Sequence, residues 1–527
     1  MRTVRGYGSA AIGATLAFCL AGSGCGRSAL LTENDAATGD AGASASRAGM
    51  TFGGSKSTAG GPAFGGTFGQ SGTFGSAGFP SVGGFPNGGF PNGGQTSDTC
   101  QLAVGDCRLA SDAGCEAVRE ACEGVLLSHQ EFVSSEVHVT DVATSTNGRV
   151  AIAGTFEGVL DLGGQSKPFT SIDQAGTTHQ FGFVASFDAG GQAEWLYVYA
   201  TSGTSTASGV RFTPTGHVVA QGADGGEAFA VRLDAQGVIA WSARSLDAIA
   251  TPGHVGVDND GNVLLSGTYK GTLNLAGAQL TAARYTGYLI KVDEAGKLAW
   301  ARDLMPSDWQ AALTRNVAVD DEDSIAVIGI GADPDGGSSA FLQKFGPTGE
   351  LRFSKELRAT TSVELRGLTV DRKMRLLVAG EFTGQLTNAN ESFDSSGSKT
   401  DVWLAQYSGD GELGWQRVYA SDGQGAHAAA TAVDPYGNVV LTGSAAALAV
   451  DGLDTLTSPS LFLLKLRPDA TPIWLRSFDG TAEVATLASD TQSNFWLGGS
   501  FDGKLGLDTD LLDGAGMFHG MLLKLGP

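Results

Sequence analysis

The chain has 527 residues, 79 of them glycine, roughly double the usual share, and a formal net charge of −22. That acidic field repels phosphate backbones and anionic membrane surfaces, which excludes nucleic acid as a partner. Length alone allows several domains, and composition divides them unevenly, because much of the glycine lies before residue 99.

Arg2 and Arg5 precede an apolar run, Ala10 to Ala21, that is too short and too rich in Gly and Ala to span a bilayer, so residues 1–24 are expected to form a signal peptide. The run ends in LAGSGCG. This resembles the lipobox of bacterial lipoproteins, in which the cysteine, here Cys25, is diacylated and becomes the new N-terminus; Gly22 stands where that family favours Leu. The resemblance implies lipidation of Cys25. Gly26 follows it in place of the Asp that retains such lipoproteins at the inner membrane, which implies the outer membrane. Without lipidation, the same leader implies a secreted or periplasmic protein.

Residues 25–98 read as a linker: TFGG, TFGQ, TFGS, then GFPSVGGFPNGGFPNGG. Gly and Pro at this density bury too little surface to offset ordering entropy, and ~70 such residues have an r.m.s. span of ~45–50 Å, enough to hold a domain clear of a membrane. Residues 99–124 follow, with Cys100, Cys107, Cys115 and Cys122. A seven-residue step is two helical turns, so Cys100 shares a helix face with Cys107, and Cys115 with Cys122. Ser111-Asp112-Ala113-Gly114 turns the chain between them. The expectation is a small helical hairpin stapled by disulfides, an even thiol count that suits an oxidising compartment. Spacing leaves the connectivity open, and zinc would want closer pairs such as Cys-x2-Cys.

Beyond residue 127 one pattern recurs. VAIAG, VVAQG, VLLSG, IAVIG, LLVAG, VVLTG and FWLGG end in Gly154, Gly222, Gly267, Gly329, Gly380, Gly443 and Gly499, about 58 residues apart on average. Each is rich in β-branched or aromatic residues, as strands require. A second motif falls after most of them: FVASFDAGGQAEW, FAVRLDAQGVIAW, YLIKVDEAGKLAW, FLQKFGPTGELRF, WLAQYSGDGELGW and FLLKLRPDATPIW, with MLLKLGP last. It predicts an alternating strand, a turn and a strand carrying a large aromatic. Trp195, Trp241, Trp300, Phe353, Trp415 and Trp474 then serve as packing wedges between units. Four strands per unit, repeated without helices, predict an all-β, seven-bladed β-propeller over residues 127–527, preceded by the disordered tether and the Cys-rich hairpin. Counting back from Gly154, Phe132 marks the strand that completes the last blade.

The stretches V-D-x-x-G-N-V-x-L-x-G and F/Y-x-G-x-L resemble the SBBP-type β-propeller repeat of exported bacterial proteins, over roughly residues 128–527. The D-x-x-G-x-x-x-W element resembles the Trp-docking motif of pyrroloquinoline-quinone-type propellers, some of which are non-enzymatic outer-membrane assembly lipoproteins. Both resemblances imply a fold, and neither implies a particular activity.

No H-E-x-x-H, G-x-S-x-G or His pair at metal spacing is present. VDNDGN at 257–262 lacks the bidentate acid that closes a calcium loop and reads as a hairpin turn, and DDED at 320–323 and DPDGG at 333–337 read as solvated turns. No cofactor and no metal is expected. Two functions remain. The first is a lipid-anchored binding or scaffold module for a protein or glycan at the cell envelope. The second is a propeller-based hydrolase or lyase acting on an extracellular polymer, its site built from side chains that sequence order hides. The absence of a catalytic constellation favours binding. Gly222 to Trp241 spans only 19 residues and Gly329 to Phe353 only 24, against 31 to 41 in the other complete units. The long connections of one face are therefore expected to carry the ligand contacts, on loop residues Thr178, His179, Arg284, Tyr285 and Lys399.

Overall fold

Each recurring glycine ends an apolar alternation, and the alternation commits its segment to a strand with one neighbour on either side. A computed structural model describes residues 124–527, apart from 165, 174, 200–202, 307, 335, 336, 390 and 509. The signal peptide, Cys25, the linker and the four cysteines Cys100, Cys107, Cys115 and Cys122 lie outside the described residues. Among the described residues every regular element is a strand, and the pairing is antiparallel.

The first four-stranded group runs Glu136–Thr144, Val150–Glu157, Phe181–Phe187, Ala193–Tyr199 in spatial and chain order. The same order recurs over residues 205–244, 246–304, 311–359, 362–419 and 426–479. The long strand Pro472–Ser489 changes partners at Gly480: its first half is the outer strand of one group and its second half the inner strand of the next. That next group continues through Phe495–Gly506 and His519–Leu525 and is completed from the other end of the sequence by Leu126–Phe132. Phe132 stands opposite Gly520, so the strand expected to finish the circuit is the one that does. The inner strands of successive groups pack against one another, and the Gly480–Ser489 stretch packs back on Glu136–Thr144. A closed circuit of four-stranded antiparallel groups is a propeller-like fold.

The glycines are fixed by a close approach. Every inner strand carries a one- or two-residue bulge directly after the residue opposite the glycine, such as Thr140 after Val139, which faces Gly154, and Ala429 after Ala428, which faces Gly443. The bulge presses the preceding carbonyl onto the glycine: a Cβ on Gly154 would collide with His138 O, on Gly267 with Thr251 O, and on Gly443 with His427 O. On the other side an aromatic from the third strand faces the glycine, as in Phe183, Phe229, Tyr288, Phe341, Trp403 and Phe462, with Met521 in the last group.

Adjacent groups are joined through one backbone carbonyl. Trp195 Nε1 donates to Ala235 O at 3.1 Å, and Trp241 to Glu294 O, Trp300 to Pro347 O and Trp415 to Pro468 O at 3.0 Å each. The indole lies on the turn itself, so a Cβ on Gly237, Gly296 or Gly349 would enter the ring of Trp195, Trp241 or Trp300. Phe353 sits on Gly411 in the same way without a hydrogen bond to give, and Trp474 lies against Gly124, at the start of the completing strand.

The groups with long connections insert a hairpin. In residues 246–304 the strands Val263–Leu275 and Ala278–Val292 extend past the sheet and turn through Ala276 and Gly277, both at positive φ. In residues 362–419 the hairpin Gln385–Asn388 and Glu391–Asp394 pairs with the end of the preceding outer strand, Ala359 opposite Leu386. These hairpins brace the chain where it enters the group that carries them. Deleting residues 124–135 bares the edge of His519–Leu525 and removes the seat of Trp474. The shortened protein should aggregate or melt at a clearly lower temperature, and an unchanged cooperative melt would reject this account of closure.

Candidate functional site

The inner strands face one another around the circuit, and the residues at their bulges differ where the rest of the repeat agrees. Around the bulges stand Thr140, Ser208, His254, Arg315, Arg366 and Ala429. Two residues earlier, or three in the case of His254, come His138, Thr206, Thr251, Leu313, Glu364 and His427. This strip is the candidate site, and two networks occupy it.

The first is centred on Asp141, whose side chain is wholly buried. Its Oδ2 accepts from Arg211 Nη1 at 2.6 Å and from the Val210 N–H at 2.9 Å, and lies 3.3 Å from His254 Nδ1. Its Oδ1 accepts from Thr486 Oγ1 and from its own strand's Val142 N–H, both at 2.9 Å. One carboxylate thus ties four consecutive inner strands. Burial pushes its pKa up, but Arg211, His254 and the Val210 N–H together outweigh that and bring it down to about 2.

The second network spans the strands Ala311–Val319, Ser362–Val370 and Ala426–Val433 and the strand behind the middle one. Arg315 Nη2 lies 2.6 Å from Glu364 Oε1. Glu364 faces Glu381 across the sheet, Arg366 Nη2 lies 3.5 Å from Glu381 Oε1, and His427 Nδ1 lies 3.0 Å from Glu381 Oε2. Burial raises the pKa of Glu364 against the pull of Arg315 and Arg366, and the bond to Glu381 raises that of His427.

The repeated polar residues have internal tasks. Asp258 Oδ1 accepts from the Asp260 and Asn262 N–H groups, and its Oδ2 lies 2.8 Å from Lys291 Nζ. Lys291 also donates to Pro347 O, the carbonyl that accepts Trp300, and Arg232 and Gln406 reach Glu294 O and Pro468 O alongside Trp241 and Trp415. VDNDGN is therefore a hairpin turn whose Asp closes its own backbone. Asp320, of the DDED run, does the same through the Glu322 and Ser324 N–H groups and pairs with Lys344 at 2.8 Å. Among the described residues no group of three or more His, Cys, Asp or Glu side chains is arranged to hold a metal ion.

The five residues expected to meet a ligand sit on three separate hairpins. Thr178 is bridged to Ile172, and His179 stacks on Phe181 and lies 3.2 Å from Asp173 Oδ2. Lys399 is exposed in the turn before Asp401–Tyr407. Arg284 and Tyr285 are exposed, but they belong to the strand Ala278–Val292 and not to a loop, because the alternation of that segment continues the sheet through the inserted hairpin. The structure brings Arg284 and Tyr285 together with Lys270, whose Nζ lies 5.5 Å from the Tyr285 ring. Asp141, Arg211, His254 and the Glu364–Glu381 pair carry no signal in the sequence, because nothing in local spacing links residues from different strands.

No protein-family model and no curated protein sequence matches the chain. Among solved structures it is similar to YCF48 bound to a D1 peptide, at 12% identity and a TM-score of 0.41, over 76% of this chain and 96% of that one. It is also similar to Sqt1 from Chaetomium thermophilum, at 11% identity and a TM-score of 0.40, over 77% and 99% of the two chains. A gluconolactonase from Xanthomonas campestris is similar at 14% identity and a TM-score of 0.32, over 60% and 85%.

Asp141 links stability to pH with a definite sign. Its folded pKa is depressed from 3.8 to about 2, so its contribution, about 2 kcal/mol, is present above pH ~4 and fades as pH falls towards 2. Asp141→Asn should lower urea stability by about 2–4 kcal/mol near neutrality, and the gap to wild type should narrow below pH ~4. A gap independent of pH would remove Asp141 from this role.

Proposed function

We propose that the protein is an exported, lipid-anchored, seven-bladed β-propeller that acts as a binding or scaffold module at the bacterial cell envelope. Residues 1–24 direct export, Cys25 carries the lipid at the outer membrane, residues 25–98 give reach, and the cysteines at 100, 107, 115 and 122 form two disulfides in a small hairpin ahead of the ring. The observation that carries the binding reading is the division of labour among side chains. The residues that repeat from group to group, the glycines, turn aspartates, third-strand cations and tryptophans, are spent on bonds within the ring. Those that vary lie on the inner bulges and the inserted hairpins, where a partner can reach them.

Two measurements test this reading. Cys25→Ser should move the protein from the membrane fraction to the soluble one, and unchanged partitioning would refute the anchor. Arg284→Ala with Tyr285→Ala should weaken a partner recovered by pull-down from envelope extract, about tenfold for a contact at the centre of an interface, while the melting temperature stays put. Loss of the partner only on substitution in the Asp260-Gly261 or Ala295-Gly296 turns would place it on the opposite face.

A further inference from the structure

The two inner-strand networks are built from the same residue types but finished differently. Asp141 is completely buried, and its Arg211 and His254 partners both converge on one carboxylate oxygen. The second network is open. Arg366 and His427 are about half exposed, with side-chain exposures of 48% and 57%. Arg366 reaches Glu381 only at 3.5 Å, and His427 presents one ring nitrogen to Glu381 and leaves the other directed away from that bond. Arg315 is tied to Glu364 by one terminal nitrogen, while its buried Nε has no hydrogen-bond partner. Three cationic or cation-forming groups from three successive inner strands therefore surround two carboxylates without being used up by them.

We infer that Arg315, Arg366 and His427 form a binding site for a carboxylate group on the inner strands. This deepens the binding-module reading and rests on it. A guanidinium is a planar fork that takes a carboxylate through two parallel hydrogen bonds, and an imidazolium adds a third donor at a different angle. With both glutamates ionised the two guanidiniums balance them, and a proton on His427 or Glu364 then makes the cluster net positive, a local inversion of sign in a protein with a net charge of −22 that draws a small anion inward. The charged and titratable groups of the cluster are Arg315, Glu364, Arg366, Glu381 and His427. As pH falls, Glu364 takes a proton and His427 gains charge, so the balance moves toward positive and the carboxylate binds more tightly. The carboxylate can belong to a small organic acid or to an acidic sugar unit.

Isothermal titration of the full-length protein with succinate, with trigalacturonate and with sulfate tests the assignment at about pH 5.5 and about pH 7.5. Saturable binding of either carboxylate is expected, about fivefold or more tighter at the lower pH and stronger than sulfate. The arm that binds identifies the source. Arg366→Gln and His427→Gln should each weaken it about tenfold with little change in melting temperature, whereas Arg211→Gln should lower the melting temperature and leave binding intact. Two variants guard against one misfolding. No saturable binding of either carboxylate, equal binding of sulfate, or unchanged binding in both variants would overturn the site. A partner still captured through Arg284 and Tyr285 while carboxylate binding is absent would sink this inference alone and leave the binding module standing.

Discussion

The contact on which the architecture depends is a carbonyl oxygen pressed onto a glycine. Within each group the inner strand bulges, and its carbonyl occupies the space that a Cβ at the recurring glycine would need, as His138 O does at Gly154 and Glu364 O at Gly380. A bulge adds a residue, sharpens the twist and breaks the ladder locally. Here it does so at the edge where the groups converge. The glycine keeps the sheet paired past the irregularity, and the third-strand aromatic covers what the glycine leaves bare. An alanine would have to push that carbonyl back and straighten the inner strand. The geometry of the candidate site is therefore set one strand away from where its chemistry lies.

The second constraint joins the groups. At three joints one carbonyl accepts both the tryptophan and the long third-strand side chain of the preceding group: Glu294 O receives Trp241 and Arg232, Pro347 O receives Trp300 and Lys291, and Pro468 O receives Trp415 and Gln406. Lys291 is nearly buried and is neutralised by Asp258, which follows the inner strand at the same end of the sheet. A buried cation with both a carboxylate and a carbonyl partner avoids the desolvation penalty that an unpaired one would carry. Where the turn lacks its glycine, Ala470 takes a positive φ of 69° to keep the same shape, a local strain that the docking of Trp415 must offset. The same seat is provided for Trp474 by Gly124, so the completing strand begins as a docking surface before it becomes a strand.

The sequence made the strand repeat and the wedge residues legible because each is a local pattern: a glycine after an alternating run, an aromatic four residues after a turn glycine. The inserted hairpins look like loops in the sequence, since a connection of variable length carries no repeat to align, although Leu273, Leu275 and Leu280 alternate as strand residues do. The long-range polar pairs were invisible. Asp141 and Thr486 are 345 residues apart and adjacent only because the circuit closes. Arg315, Glu364 and His427 belong to three different units, and each alone resembles an ordinary surface charge.

That contrast explains how a repeat can bind specifically. Repetition makes every joint alike, and a ring of identical units would present the same group at each inner bulge. In this chain the bulge positions have diverged into one arc that is locked and one that is open. Asp141 spends its charge on holding the circuit together beside its point of closure, where the last group is completed only by hydrogen bonds between Leu126–Phe132 and His519–Leu525. On the far arc each group is built from one continuous stretch of chain, so no carboxylate is needed as a clasp there. Glu364 and Glu381 can share their cations loosely, and Arg366 and His427 can remain half exposed. Closure and recognition are in this way separated around one ring, with the tightest electrostatics where the fold needs them and the loosest where a ligand has room to compete.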